Sequence, residues 1–243
     1  MKSKFRFISL SYKNTPVKVR EMVALNDEQC QRLLYKINEV LLISDLLILS
    51  TCNRTEIYYS SEKDLSTDIV KLLAIEKGIK DSEKLLRNFA AVHNTRDTIE
   101  HLFNVAMGLE SQVVGDLQII NQVKRAYQMS ADVNVAGPVL HRVMHSIFFT
   151  NKRVVQETGF RDGSASVSYA TVDLVEEVTR NIIEPHILCI GVGEIGTDTV
   201  RNLREFGFKN VTIINRTREK AEELALECGY KSEDFDSLGF LLK

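Results

Sequence analysis

The stretch Ser50-Thr51-Cys52-Asn53-Arg54-Thr55-Glu56 sets a thiol, a carboxamide, a guanidinium and a carboxylate within five positions of one another. A thiol becomes a nucleophile when a nearby cation favours its thiolate, and Arg54 stands two residues from Cys52. The same guanidinium can grip a carboxylate through two parallel hydrogen bonds. A polar turn that merely contains a cysteine is the plainer reading, and for a lone cysteine it is the usual one. The flanks argue for more. An apolar run from Leu46 ends in Ser50 and a second run opens at Ile57, so two buried strands bracket a polar turn holding Cys52, Asn53, Arg54 and Glu56 at the mouth of a sheet.

Other candidate groups lie downstream. His101, Leu102, Val105 and Leu109 form an apolar stripe, on which a histidine is more often packed than catalytic. After Gly108-Leu109-Glu110-Ser111 and Gly115, the polar groups of Ser111, Asp116, Gln118 and Gln122 interrupt an apolar pattern. They need partners, either helix caps and turns or a polar ligand. His141 and His145 share a helix face but lack the Glu of a zinc-protease motif, so they read as helix surface, and no two cysteines have metal-ligand spacing. Gly191-Val192-Gly193-Glu194-Ile195-Gly196 is G-x-G-x-x-G between a strand (186–190) and a helix (197–206). Such glycines let a backbone approach a pyrophosphate at a helix N-terminus. The next strand (210–214) ends in Asn215-Arg216-Thr217-Arg218, where an NAD site would place an acid. Neutral Asn and two arginines suit a 2′-phosphate, so NADPH is the expected cofactor; a basic loop at a helix start is the alternative.

The elements that must position these groups follow from periodicity. A strand over 5–10 precedes the Asn14-Thr15-Pro16 turn. A helix then opens at Asn26 with Gln29 completing a capping box, and Cys30, Leu33, Leu34, Ile37 and Leu41 line its inner face. The two strands around Cys52, a helix over 64–76 and a strand over 88–92 complete the split βαβ, ferredoxin-like order, ending near His93. The chain is then helical to Glu157, broken at Gly137-Pro138. Residues 158–184 form a linker, with Arg161 and Asp162, and a long helix over 166–181 carrying Val172, Val175 and Val178. A Rossmann-type nucleotide domain starts at Pro185. The expected fold class is therefore α/β: a catalytic domain over 1–157, the linker, and the first part of a nucleotide-binding domain over 185–243. A net charge of −2 supplies no basic field for wholesale nucleic-acid binding. No signal peptide or membrane span is evident, since the most apolar window (41–49) is short and carries Asp45. Four cysteines without a pairing pattern point to a reducing, cytoplasmic setting.

Taken together, Pro16 to Glu21, Ser50 to Glu56, His101-Leu102-Phe103, Gly108 to Ser111, Gly115 to Tyr127 and the glycine loop resemble the glutamyl-tRNA reductase family over nearly the whole chain. The resemblance implies NADPH-dependent reduction of glutamyl-tRNA to glutamate-1-semialdehyde with release of tRNA, the first step of tetrapyrrole synthesis by the five-carbon route. It implies that Cys52 forms a thioester and that His101 assists with protons. Thr51, Asn53, Arg54, Ser111, Asp116, Leu117, Gln118 and Gln122 would hold the glutamyl group, and residues 191–196 and 215–218 the cofactor. It also implies a homodimer in the full-length protein and a glutamate-1-semialdehyde aminomutase as receiving partner. Two local departures stand out: the family's early Gly-Leu-Asn-His is Ser9-Leu10-Ser11-Tyr12 here, and the acid after Gly115 is the shorter Asp116. Family members continue into a helical dimerisation domain beyond the point where this sequence stops, so a shortened nucleotide domain without that dimerisation domain is expected. Two other readings keep the thiol: an esterase confined to the first half-reaction, and a non-enzymatic redox-sensing, RNA-binding module.

Overall fold

The computed structural model describes residues 4–160 and 167–242, which fall into two compact units divided at Phe160 and Arg161. The linker residues Arg161, Asp162 and Gly163 lie outside the described residues.

The first unit runs β1 (Lys4–Ser11), α1 (Val17–Val23), α2 (Asp27–Leu41), β2 (Leu46–Ser50), β3 (Arg54–Ser61), α3 (Ser66–Glu76), α4 (Ser82–Leu86), β4 (Ala90–Val92), α5 (Thr95–Ala106), α6 (Leu117–Asp132) and α7 (Pro138–Glu157). Its antiparallel sheet has the order β2-β3-β1-β4, the arrangement that a split βαβ motif gives. The central strands are buried on both faces, which is why they read as continuous apolar runs rather than as alternation. Ile8, Leu10, Ile48, Ile57 and Tyr59 meet α2 and α3 on one side. Phe5, Phe7, Leu47, Leu49 and Tyr58 meet α5, α6 and α7 on the other. The helical stretch after His93 is thus the second cover of the sheet.

Local chemistry sets the helix ends. The Asn26 side chain accepts from the Gln29 N–H while the Gln29 side chain accepts from the Asn26 N–H, the reciprocal box expected from the sequence. At α7 the cap comes from far away: Asp45, just before β2, accepts from the backbone N–H of Val139 at 3.3 Å and Leu140 at 2.9 Å. Gly137 is required there, because a Cβ would lie 2.6 Å from Asp45 Oδ1 and 2.7 Å from the Ser44 carbonyl.

The second unit runs α8 (Val167–Thr179), β5 (Ile187–Ile190), α9 (Glu194–Glu205), β6 (Val211–Ile214), α10 (Arg218–Cys228), β7 (Lys231–Glu233) and α11 (Leu238–Leu241). Its parallel sheet has the order β5-β6-β7, the start of a doubly wound fold. Val172 of α8, Val200 and Leu203 of α9, and Ile213 of β6 share its core.

Several sequence expectations are corrected. The strand expected to open at Ile57 opens at Arg54, since Arg54 to Tyr59 are all buried and paired with β1, and the turn is shorter by as much. The third helix starts at Ser66, where Asp64 accepts from the Ser66 N–H, rather than at Asp64 itself. Helix α9 starts at Glu194, not Thr197, so Gly196 sits in its first turn. Leu109, placed on the apolar stripe of His101, and Val178, placed among the apolar positions of the long helix, are 46% and 65% exposed. Leu109 follows the end of α5, and Val178 lies in the last turn of α8. The short helices α1 and α4 were not expected. Among the described residues no helix is long and apolar enough to cross a membrane.

Loss of an N-cap costs about 1–2 kcal/mol. Asp45→Ala is accordingly expected to lower the unfolding free energy of the first unit by that amount, read as a lower midpoint at unchanged slope in urea titration. Asp45→Asn, whose carbonyl oxygen still accepts one of the two bonds, is expected to lose less.

Candidate active site

The Cys52 turn is shaped by its own backbone. The Thr51 N–H donates to the Arg54 carbonyl at 2.8 Å, and Thr51 Oγ1 accepts from the N–H groups of Asn53 and Arg54 at 3.2 and 3.3 Å. The Tyr12 N–H donates to the Asn53 carbonyl at 2.8 Å, tying the turn to the end of β1. With both flanks fixed, Cys52 stands exposed at the tip. Thr51 and Cys52 rim a cavity whose other walls include Gln122, Arg125 and Met129 of α6.

Beneath the turn, strand alternation puts Arg54, Glu56 and Tyr58 on the sheet face toward α5. All three are buried, Glu56 completely. The Glu56 carboxylate accepts from Tyr58 Oη at 2.6 Å, Ser9 Oγ at 3.2 Å and Arg54 Nη1 at 3.3 Å, and lies 3.1 Å from His101 Nε2. Burial pushes the Glu56 carboxyl up. The His101 hydrogen bond, the Arg54 and His101 charges and the Tyr58 hydroxyl outweigh it and hold the group below the usual carboxylate range. Tyr58 moves the other way: burial and the adjoining Glu56 charge push its phenol well above its ordinary value. His101 is held on a second side by Phe7, whose ring stacks on it at 4.4 Å and 11°. The histidine of the apolar stripe is therefore both packed and hydrogen-bonded.

Arg54 does not turn toward the thiol as expected from its spacing. Glu56 takes one terminal nitrogen and the Glu110 carbonyl takes the other. This second bond anchors the loop between α5 and α6. Gly108 there has φ +77, and a Cβ on it would lie 3.0 Å from Gly115 Cα and from the Asp116 nitrogen. The Gly115 N–H donates to the Gly108 carbonyl at 3.1 Å. Two glycines in close approach fold the loop back on itself, which sets Ser111 beside the Arg54 contact. Ser111 Oγ is buried without a hydrogen-bond partner among the described residues, an arrangement that costs free energy until an acceptor or donor meets it. Asp116 caps α6, accepting from the Gln118 N–H at 2.9 Å, so one of its oxygens does ordinary helix-end work. Gln118 and Gln122 lie one turn apart on α6. The Leu117 side chain lies outside the described residues.

The structure thus joins Thr51, Cys52, Asn53, Arg54, His101 and Ser111 through one turn, one buried carboxylate and one loop, and adds Gln122 through the cavity. It does not bring His101 into hydrogen-bond contact with Cys52; Glu56 is the ring's partner. Sequence reasoning left Glu56, Tyr58 and Ser9 out of the site. The signal was the alternation Arg54-x-Glu56-x-Tyr58, which puts three polar heads on one face of a strand.

In the second unit, Gly191 has φ +95, and a Cβ on Gly196 would lie 2.2 Å from the Gly191 carbonyl oxygen. The loop closes onto the first turn of α9 only because both are glycine. Gly193 is the N-cap and brings no side chain to the orphan N–H groups, while Glu194 and Ile195 are exposed beside it. The Val192 N–H donates to Asn215 Oδ1 at 3.3 Å, and Asn215 Nδ2 donates to the Thr217 carbonyl at 2.9 Å, so Asn215 braces the glycine loop. Arg218 is engaged by Glu222 at 2.6 Å and Asp234 at 2.7 Å. Arg216 is exposed. A strand, an open helix N-terminus and a glycine cradle suit a dinucleotide's pyrophosphate.

Comparison with known proteins places the chain in a family. Residues 8–158 match the family model described as glutamyl-tRNA(Glu) reductase, N-terminal domain, and residues 173–243 match that of shikimate/quinate 5-dehydrogenase. The chain is 54% identical over 239 residues to a glutamyl-tRNA reductase of Cytophaga hutchinsonii, covering 98% of this chain and 56% of that protein. It is 36% identical over 230 residues to one of Rubrobacter xylanophilus, covering 94% and 53%. The solved glutamyl-tRNA reductase from Methanopyrus kandleri superposes with a TM-score of 0.63 at 29% identity, over 98% of this chain and 55% of that one. The chain spans about half the length of the curated relatives it matches. On the match across residues 8–158 and these relatives, the chain belongs to the glutamyl-tRNA reductase family.

Proposed function

We propose that this chain carries the acyl-transfer centre of a glutamyl-tRNA reductase, with Cys52 as nucleophile, together with the opening part of its cofactor site. The observation that carries the reading is the exposed thiol at a turn braced from below by a buried Arg54–Glu56–His101 network. The Cys52 thiolate attacks the carbonyl carbon of the ester joining glutamate to tRNA. A C–S bond forms, the bond to the ribose oxygen breaks, and that oxygen leaves with a proton as a free hydroxyl. His101 handles protons in this exchange. Arg54 keeps N–H donors beyond the two terminal nitrogens used internally, and offers them with Thr51 and Asn53 to the glutamyl group. Ser111 Oγ gains its missing partner there. The second oxygen of Asp116 and the amides of Gln118 and Gln122 complete the polar wall; Leu117 shares this segment.

In the second unit, the open N-terminus of α9 and Gly191, Val192, Gly193, Glu194, Ile195 and Gly196 take the pyrophosphate. Asn215, Arg216, Thr217 and Arg218 face the adenosine ribose, where a 2′-phosphate meets Arg216 most directly because Arg218 already holds two carboxylates. The hydride that reduces the Cys52 thioester to glutamate-1-semialdehyde, freeing the thiol, is what NADPH supplies when bound.

Mixing the chain with tRNA charged with labelled glutamate should leave label on the protein. Cys52→Ser should abolish that label, and an unchanged signal in the variant would refute the reading. Semialdehyde should appear only when NADPH is added. In direct titrations Arg216→Ala should weaken NADPH about tenfold while leaving NADH unchanged, and Arg218→Ala should do less, a charge-assisted bond being worth about 1.5–3 kcal/mol. The site should also be acid-labile. Because the folded Glu56 carboxyl sits below its ordinary value near 4.5, its stabilising share is complete above that pH and disappears as pH falls through the lower folded value. Thermal melts from pH 6 downward should show the loss, and Glu56→Gln should flatten it.

A further inference from the structure

Glu56 is the fully buried carboxylate of the candidate site, and the proposed chemistry gives it no task. It is completely buried, so it cannot touch a substrate, and a buried carboxylate is poor economy for stability alone. Its neighbours show what it does. Ser9 approaches from β1, Arg54 and Tyr58 from β3 and His101 from α5. Glu110, ion-paired to Lys13, is the other charged group close by. An ionised carboxylate can only accept hydrogen bonds, so the ring nitrogen that faces it must carry a hydrogen. That nitrogen is Nε2, 3.1 Å away. In the neutral imidazole the lone pair then resides on Nδ1. Phe7, stacked on the ring face, fixes the ring plane, and a flip about Cβ–Cγ would put Cε1 in place of Nε2 and lose the Glu56 contact.

We propose that Glu56 is a positioning residue that holds His101 as the Nε2–H tautomer and presents Nδ1 as the nitrogen that exchanges protons with the reacting groups. The inference rests on the reading of Cys52 as nucleophile: the proton lost by the thiol passes through Nδ1 and ends on the departing ribose oxygen, so atoms and charge balance. It also explains why the residue is an acid. A neutral amide at position 56 could turn its NH2 group to Nε2 and select the opposite tautomer.

The test is two-bond ¹⁵N–¹H NMR of the histidine-labelled chain, which has five histidines, with His101 assigned through the signal lost in His101→Asn. Wild-type protein should show the Nε2–H pattern for the neutral form of His101, read at the alkaline end of a pH series. An Nδ1–H pattern overturns the proposal, and this measurement needs no variant of Glu56 to fold. Glu56→Gln should shift the pattern toward Nδ1–H or a mixture. It should also slow thioester formation about 100-fold, the usual scale of lost acid–base assistance, while KM for glutamyl-tRNA stays within about twofold. A folded Glu56→Gln protein with wild-type tautomer and wild-type rate overturns it as well. Failure of the nucleophile reading would show separately, as labelling that survives Cys52→Ser with the His101 tautomer unchanged.

Discussion

A carboxylate taken fully out of water loses several kcal/mol of hydration, and a fold can hold one only by surrounding it with donors and positive charge. Glu56 imposes that condition on the first unit. Its compensation comes from its own strand, through Arg54 and Tyr58 on β3, and from two elements distant in sequence, through Ser9 on β1 and His101 on α5. Arg54 extends the chain of dependence by giving its remaining terminal nitrogen to the Glu110 carbonyl, which fixes the loop holding Ser111. One buried charge therefore sets the relation between the strand beneath the thiol, the helix carrying the histidine and the loop before α6. Apolar side chains of similar volume would fill the same space at less cost, so the network is better understood as fixing geometry than as adding stability.

The same site depends on backbones that approach more closely than a Cβ allows. Gly108 against Gly115 turns the loop back toward Arg54, and Gly137 against Asp45 lets a side chain before β2 cap α7. In the second unit Gly196 against the Gly191 carbonyl closes the glycine loop onto α9. In each case the glycine serves a particular contact rather than general flexibility: one backbone segment must lie where the side chain of another would be.

Much of this was legible in the sequence because it is written in periodicity. The capping box at Asn26, the apolar runs of β2 and β3 and the strand-glycine-helix order at 191–196 are local patterns, and they gave the split βαβ order and the α/β class. The boundary at Arg54 was not legible, because polar residues after a cysteine read as a turn unless their long-range partners are known. Nothing near Glu56 in sequence announces Ser9 or His101. The starts of α3 and α9 were displaced in opposite directions: Asp64, which accepts from the first N–H of α3, reads as part of the helix, and Gly196, inside the first turn of α9, reads as part of the loop. The short helices α1 and α4 are too brief to establish a period. The idea that Arg54 serves the thiol came from spacing alone, and spacing cannot distinguish a cation turned toward the surface from one drawn inward by a buried acid.

That leaves the question of why Cys52 stands apart from the other thiols, since its neighbouring cation is committed elsewhere. Exposure supplies the answer. All four cysteines are free. Burial pushes Cys30 up to about 12, and burial likewise raises Cys189 and Cys228. A thiol that must ionise inside an apolar core remains a small hydrophobe. Cys52 alone is carried into solvent, at the tip of a turn whose backbone is held on both sides by Thr51, Arg54 and Tyr12. The fold thus selects one thiol by burying the other three, Cys189 only in part. The rigid turn and the buried network beneath it then serve to aim that thiol, a geometric task that an exposed cysteine on a loose loop could not perform.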